Sequence, residues 1–437
     1  MIELNGAIIL SVILFILTYY GIISKKVHRT IAAMSGAMGM ILLGAAMGFY
    51  NPEMAIDYID FNTIGLLLGM MILVGLLGET GFFQYIAIRT AKLSKGSYYR
   101  LLALFVLVTA FTSAFLDNVT TVLLMAPVTI TIAKELNITP IPFLMTEVIS
   151  SNIGGTMTLI GDPPNIMIGS AANIHFFQFI IYLAPIVIIV LFVVLFIFEI
   201  IFHDVINRDM KNFEEICKMD ESDKITNYGL LKKTLFVLLI TMVLFTIHHM
   251  IGIEPWVVAL LGASLLLLIT LTEPEQALKH VHWDTLLFFA GLFIVIGGLE
   301  RAGVIDIIAM EIQAASGQSL LLAMFIVLFV SGFFAMGVGN IPAAITLIPA
   351  VSIFINNTDI GGGYPINPLW WALSLGACFG GNGTLISAPA NLIVSNISEK
   401  LGYPISFKDF TKLGLPITIV SLFFSFILLW FFFIVLM

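Results

Sequence analysis

Residues 154–165 read Gly154-Gly-Thr-Met-Thr-Leu-Ile-Gly-Asp-Pro-Pro-Asn165, inside an apolar segment, 143–172, that is long enough to cross a bilayer. An unbroken helix cannot run through them. Pro163 and Pro164 remove two backbone donors and push the residue before each out of the helical region. Three glycines, one Asp and one Asn weaken the helix further. Broken backbone at membrane depth survives only where protein buries it or where it lines a polar cavity. The pattern returns as Gly380-Gly-Asn-Gly-Thr-Leu-Ile-Ser-Ala-Pro-Ala-Asn391. Interrupted segments at matching places in two halves of a chain point to a transport site between them.

The surrounding composition agrees. Of 437 residues, 59% are hydrophobic and 11% charged, with a mean hydropathy of +1.07. A soluble domain carries roughly a quarter charged residues, so the class is a polytopic all-α membrane protein, with lipid and no nucleic acid as partner. The net charge of −8 carries little weight, because the placement of charge decides membrane topology. Cys217 and Cys378 stand far apart in unlike contexts, which argues against a structural disulfide. The start, Met-Ile-Glu-Leu-Asn, lacks the marks of a signal peptide, and the first apolar run reads as a retained span.

Spans fall near 5–23, 30–49, 63–79, 143–172 (broken), 177–202, 234–250, 256–272, 285–299, 370–397 (broken) and 413–437. Two more apolar stretches, 101–136 and 319–355, have turn-prone centres, Leu116-Asp-Asn-Val-Thr-Thr121 and Gly337-Val-Gly-Asn-Ile-Pro342. Arms of about 15 residues are short for a crossing, so both read as re-entrant hairpins. With the N-terminus outside, Lys25, Lys26, Arg29, Lys134 and the basic residues of the 203–233 connector are cytoplasmic. Counted this way, eighteen of the nineteen Lys and Arg lie inside, with Arg301 the exception. Residues 82–95 suit an amphipathic helix on the cytoplasmic surface, and the mixed charges of 203–233 suit a solvated connector.

Residues 60–127 and 282–349 align at a shift of 222: Gly69 on Gly291, Gly75 on Gly297, Gly81 on Gly303, Asn118 on Asn340, Pro127 on Pro349. The interrupted segments align at 226, placing Gly154 on Gly380, Gly155 on Gly381, Thr158 on Thr384, Pro163 on Pro389 and Asn165 on Asn391. Ala-Pro-Ile-Val-Ile-Ile (184–189) and Leu-Pro-Ile-Thr-Ile-Val (415–420) follow. Each repeat, 1–202 and 234–437, then holds five crossings and one hairpin. Five is odd, so the second copy is expected upside down relative to the first, as in secondary carriers whose site lies near the midplane.

The expected binding residues are those of the tips and breaks. Asn118, Thr120 and Thr121 sit at one hairpin tip and Asn340 at the other. Gly155, Thr156, Thr158 and Asn165 in the first break answer to Gly381, Asn382, Thr384 and Asn391 in the second. Unwound ends expose backbone groups that hold ions, and Asn and Thr add oxygen ligands. Asp117 and Asp162 have no acidic mates, since Gly339 and Ala388 stand in their places. Ionisable groups at this depth default to ion or proton work, so both acids are candidate coupling groups, with Glu147 a further candidate on a proton path. A Na⁺ would sit at Asn118, Gly155 and Asp162; no other cofactor is expected. Glu79 reads as interfacial, and Glu300, Arg301 and Asp306 as loop charges. His248 and His249 cap a span without the spacing of a metal site.

Ser113-Ala-Phe-Leu-Asp-Asn-Val-Thr-Thr-Val-Leu-Leu-Met-Ala-Pro127 and Ile153–Asn165 resemble the arsenical pump (ArsB), melanosomal P-protein and CitM-type permease branch of the ion transporter superfamily. The likeness covers nearly the whole chain. It implies a scaffold, a moving part made of hairpins and broken spans, elevator-like exchange and often a homodimer. It also implies a first cation site at Asn118 and 154–158, mirrored at Asn340 and 380–384. Sodium-coupled dicarboxylate carriers look related but typically have Thr at the position of Asp162. The expected activity is cation-coupled (H⁺ or Na⁺) transport of a small oxyanion or its neutral acid, arsenite-like or organic, across the plasma membrane, with no enzymatic step. A Na⁺/H⁺ antiporter is the alternative. An intramembrane aspartyl protease built on Asp117 and Asp162 is a remote third.

Overall fold

The computed structural model describes residues 6–24, 26–203 and 213–436, so Lys25 and residues 204–212 of the connector lie outside the described residues. Every regular element among them is helical. The first half runs α1 (Gly6–Ile23), α2 (Arg29–Met47), α3 (Pro52–Asp57), α4 (Phe61–Glu79), α5 (Phe82–Leu93), α6 (Tyr98–Phe115), α7 (Asn118–Glu135), α8 (Ile141–Gly155), α9 (Pro163–Ala172) and α10 (Phe176–Ile201). After the connector helix α11 (Phe213–Lys218), the second half repeats that order. It runs α12 (Tyr228–Ile247), α13 (Pro255–Thr270), α14 (Pro274–Leu278), α15 (Trp283–Arg301), α16 (Val304–Ser316), α17 (Leu320–Val338), α18 (Asn340–Asn356), α19 (Pro368–Gly380), α20 (Pro389–Lys400) and α21 (Phe407–Trp430).

Packing repeats with the order. The pairs α1–α2, α6–α8 and α7–α8 recur as α12–α13, α17–α19 and α18–α19. Contacts between halves exchange in pairs: α4 packs on α13 as α15 packs on α2, and α7 packs on α20 as α18 packs on α9. The pair α10–α21 maps onto itself.

Nine helices among the described residues are long and apolar enough to cross a membrane. Outer helices carry large apolar side chains with no protein to cover them, such as Leu42 at 72% exposure and Leu268 at 73%, the pattern of a lipid-facing surface. The half-helices are the opposite. Every residue of α8 from Pro142 onward and every residue of α19 is buried.

Three expectations change. The hairpin arms are longer than about 15 residues: α6 and α7 have 18 each, α17 has 19 and α18 has 17. Ser97 and Ser319 cap α6 and α17 through the amides of Arg100 and Leu322, starting each helix early, and the tips use only one or two residues. At 1.5 Å per residue, 18 residues span about 27 Å, so arm length alone does not mark these pairs as re-entrant. Asp306 lies in the first turn of α16, and Glu300 and Arg301 close α15, because Gly303 at φ +87° turns the chain in two residues. The connector is docked as well as solvated. Lys92 pairs with Glu221 and holds that carboxyl below its usual range, while Thr226 bonds to the carbonyls of Thr80 (3.0 Å) and Glu79 (2.7 Å).

Candidate functional site

Helix α8 ends at Gly155 and α9 begins at Pro163; α19 ends at Gly380 and α20 begins at Pro389. Glycine lets neighbouring backbone come close here. A Cβ on Gly154 would lie 2.1 Å from the Ala110 carbonyl oxygen, and one on Gly380 would lie 2.5 Å from that of Gly332. Each hairpin tip then docks on the break of its own half. The Asn118 amide donates to Gly161 O (3.2 Å), and the Asn340 amide to Ser387 O (2.8 Å). Thr158 donates to the Ala114 carbonyl as Thr384 donates to Met336 O (2.9 Å). The side-chain amide of Asn165 ties down Thr156 O and Thr158 O, and that of Asn391 ties down Gly381 O and Thr384 O.

Asp162 is the point where the halves meet. Its Oδ1 accepts from Asn118 Nδ2 at 3.2 Å and from Asn340 Nδ2 at 3.1 Å, one amide from each tip. The residue is fully buried, and no Lys, Arg or His forms an ion pair with it among the described residues. A buried carboxylate held only by two neutral amides and the Cys378 thiol is costly by several kcal/mol, so it calls for a proton or a metal cation as partner.

That carboxylate sets the direction of an amide chain. Because Asn118 Nδ2 donates to Asp162, it presents its second hydrogen to Asn152 Oδ1 (3.0 Å). Asn152 must then donate onward, to Asn382 Oδ1 (2.9 Å) and Asn391 Oδ1 (3.1 Å) across the interface between halves. Two atoms are left over, Asn118 Oδ1 as a buried acceptor and Asn382 Nδ2 as a buried donor, neither with a partner. A spare oxygen beside a carboxylate suits a small hard cation; a spare N–H suits an anionic oxygen.

Other expected residues take other tasks. Asp117 caps α7, its Oδ1 accepting from the Thr120 amide (2.9 Å) and its Oδ2 from the Thr120 hydroxyl (2.5 Å). With both oxygens so engaged, it forms no shared-proton pair with Asp162. Thr121 is buried with its hydroxyl unpartnered. Glu147 is buried away from the amide chain, bonded through Oε1 to Thr129 (2.7 Å), with Oε2 unpartnered. Glu79 binds Gln276 (3.1 Å) and His280 (2.9 Å) in the second half. Sequence reading missed Asn152, the hub of the chain. Its repeat position holds Cys378, so no matched polar pair drew attention to it; the run Ser150-Ser151-Asn152 was the available signal. Cys378 and Ser374 instead reach Asn165 Oδ1, at 3.5 and 2.5 Å.

Two cavities approach this centre. One of about 500 Å³ is lined by His28, Arg29, His282, Asn340, Ser387 and Asn396, among others. The other, about 390 Å³, is lined by Asn62, Leu159, Ser170, His248, His249 and Glu254, among others. They occupy matching places: Ser170 corresponds to Asn396 and Glu254 to His28, both at the shift of 226. The larger cavity includes residues 338–342 of the second tip, whereas the lining of the smaller includes none of the equivalent 116–120.

The chain matches the CitMHS family, described as citrate transporter, over residues 19–376. It is 40% identical over 425 residues to an uncharacterised transporter of Mycobacterium bovis, covering 97% of this chain and 98% of that one. A 46 kDa membrane protein of Mycobacterium leprae is 42% identical over 431 residues, again covering 97% and 98%. The P protein of Homo sapiens is 33% identical over 483 residues, covering 92% of this chain and 57% of the P protein. Among solved structures, Neisseria gonorrhoeae MtrF, from a class of antimetabolite efflux pumps, superposes with a TM-score of 0.60 at 11% identity, covering 98% of this chain and 95% of MtrF. The Alcanivorax borkumensis YdaH transporter gives 0.57 at 12%, covering 98% and 99%; both likenesses concern the fold. A multi-pass helical membrane protein with a buried polar centre, the chain belongs to the CitMHS citrate-transporter family and is a membrane transporter of that type.

Proposed function

We propose that this transporter is a cation-coupled secondary carrier of a small oxyanion or carboxylate, working by alternating access, with Asp162 as the group that takes the driving H⁺ or Na⁺. The observation that carries the reading is the meeting of both hairpin tips on one buried carboxylate without a fixed positive partner. Asn118 and Gly155, beside Asp162, complete the cation site. The exchange of packing partners between halves supports two repeats of opposite orientation, and tips that converge on one point support hairpins that enter from opposite faces. A vestibule that reaches the second tip, with a mate that stops short of the first, supports a form open on the Arg29 side. The positive charge gathered there makes that side cytoplasmic, with the N-terminus outside and the chain in the plasma membrane. A homodimer follows from the resemblance alone.

The alternative, a Na⁺/H⁺ antiporter, keeps the same carboxylate and needs no anion. Flux in proteoliposomes separates them. The carrier reading predicts accumulation of a labelled anion, with citrate and arsenite as first probes, driven by an imposed Na⁺ or proton gradient. Sodium-dependent proton release with no anion present, and no gradient-driven anion uptake, overturns it.

A further inference from the structure

The halves agree in where helices begin and differ in what stands at the beginning. In one set of positions the N-cap is acidic each time: Asp60 for α4, Asp117 for α7, Asp162 for α9 and Glu254 for α13. At the repeat-related positions the N-caps are His282 for α15, Gly339 for α18, Ala388 for α20 and His28 for α2. None of these four makes a side-chain cap. All four helix starts open on the larger cavity. His28, His282 and Gly339 line it directly, while Ser387 and Pro389 on either side of Ala388 form its floor. At α18 the amides are already taken, Asn340 N by Ser387 O and Ile341 N by Asn340 Oδ1, and Pro342 has none to offer; the uncapped N-termini of α2, α15 and α20 are each worth up to roughly half an elementary positive charge.

A formal charge points the same way. Arg29 lines this cavity with its side chain 22% exposed, resting on the Phe288 ring at 5.4 Å from the centroid. It is loosely held, 3.5 Å from Asp284 and 3.4 Å from the Thr285 hydroxyl, at neither of which does it form the close two-bond fork that guanidinium makes with a carboxylate. Asp284 is the one acid in the lining.

We propose that this vestibule is an anion-binding site separate from the Asp162 centre: Arg29 leaves Asp284 to bind a carboxylate or oxyanion substrate, which the uncapped starts of α2, α15 and α20 attract. The proposal rests on the carrier reading above and adds to it the charge of the substrate and the side from which it is recognised. In the smaller cavity no Lys or Arg among the described residues answers to Arg29, and Glu254 stands at the place of His28. Asp284 is a competitor that the substrate displaces.

The full chain in nanodiscs is titrated calorimetrically with citrate, succinate and inorganic phosphate, in wild type and in Arg29→Gln, Arg29→Lys and Asp284→Asn. The expected result is binding of at least one of the three, weakened about tenfold or more in Arg29→Gln, largely kept in Arg29→Lys, and strengthened in Asp284→Asn. The opposite sign for the two partners of one ion pair is the signature, because a merely structural pair loses binding equally when either side is removed. Equal loss in Arg29→Gln and Asp284→Asn, no change in either, or no binding in wild type overturns the site. The coupling reading fails separately: gradient-driven flux that survives Asp162→Asn refutes it while leaving these titrations as they stand.

Discussion

At the first break, Asp162 precedes Pro163 and collects an amide from each hairpin tip; at the second, Ala388 precedes Pro389 and offers a methyl group. The scaffolding around the two is the same. Tip amide to break carbonyl, Thr to the hairpin of its own half, Asn165 to Thr158 O and Asn391 to Thr384 O: each of these bonds in one half has its counterpart in the other. Duplicate backbone work with unlike charge separates two tasks within one centre. The conserved-in-shape part builds the unwound loops, and the single carboxylate makes one of them electrostatically distinct.

The strongest way to break this comparison is to make the halves alike. Ala388→Asp places a second carboxylate in a buried position; taking it out of water costs several kcal/mol, of which the start of α20 returns only about 0.3–2 kcal/mol, and the account predicts a net fall in thermal unfolding temperature in detergent. A variant as stable as wild type would show that the second break tolerates charge as the first does. Next in size are the close approaches shared by both. Gly154→Ala and Gly380→Ala each drive a Cβ against a carbonyl oxygen, at 2.1 and 2.5 Å, and should each cost about 1–3 kcal/mol, with Gly154→Ala the worse. Comparable stability losses in the pair sharpen the claim that the backbone task is duplicated.

Asn152 and Cys378 test the part that is not duplicated. Asn152→Ala strips the donor from Asn382 and Asn391 and the acceptor from Asn118, for about 1–3 kcal/mol. Cys378→Ala, at the equivalent position, removes one weak thiol donor beside Asp162 and Asn165 and should cost clearly less stability than Asn152→Ala. Equal effects would remove Asn152 from its place at the hub. The smallest effect concerns the far cavity, where His175 stacks on His249 with ring centroids 3.6 Å apart and lies 5.5 Å from His248. Burial and the two neighbouring imidazoles push the His175 pKa below its usual value. A lowered histidine pKa means the folded chain holds fewer protons than the unfolded one, so this contribution is complete above about pH 6.5 and is lost as pH falls through the depressed value. Thermal unfolding at pH 7.5 and pH 5.5 should therefore show a larger drop in wild type than in His175→Phe.

The breaks were legible because proline and glycine act locally: Pro163 and Pro389 stop a helix whatever surrounds them. The repeat was legible from identities at fixed shifts. Arm lengths were not, since Ser97 and Ser319 start their helices earlier than hydropathy suggests, and a cap is a hydrogen bond that hydropathy does not register. The short helices α3 and α14 also escaped notice, each hidden between spans. At the centre, the sequence pointed to Asp162, Asn118 and Asn340, which the structure brings together, and to Asp117, whose oxygens it commits to Thr120. Asn152 was invisible for the opposite reason. Its importance arises from partners on two other segments, 30 or more residues away at Asn118 and over 200 away at Asn382, and spacing along one chain carries no trace of that.

The most direct test compares wild type and Asp162→Asn in proteoliposomes loaded with a labelled substrate anion, under an imposed Na⁺ or proton gradient and under simple exchange. Asparagine keeps the size and the hydrogen-bonding role of the side chain but gives up its charge. The account predicts that exchange persists in the variant while gradient-driven accumulation disappears. Accumulation at the wild-type level would contradict it.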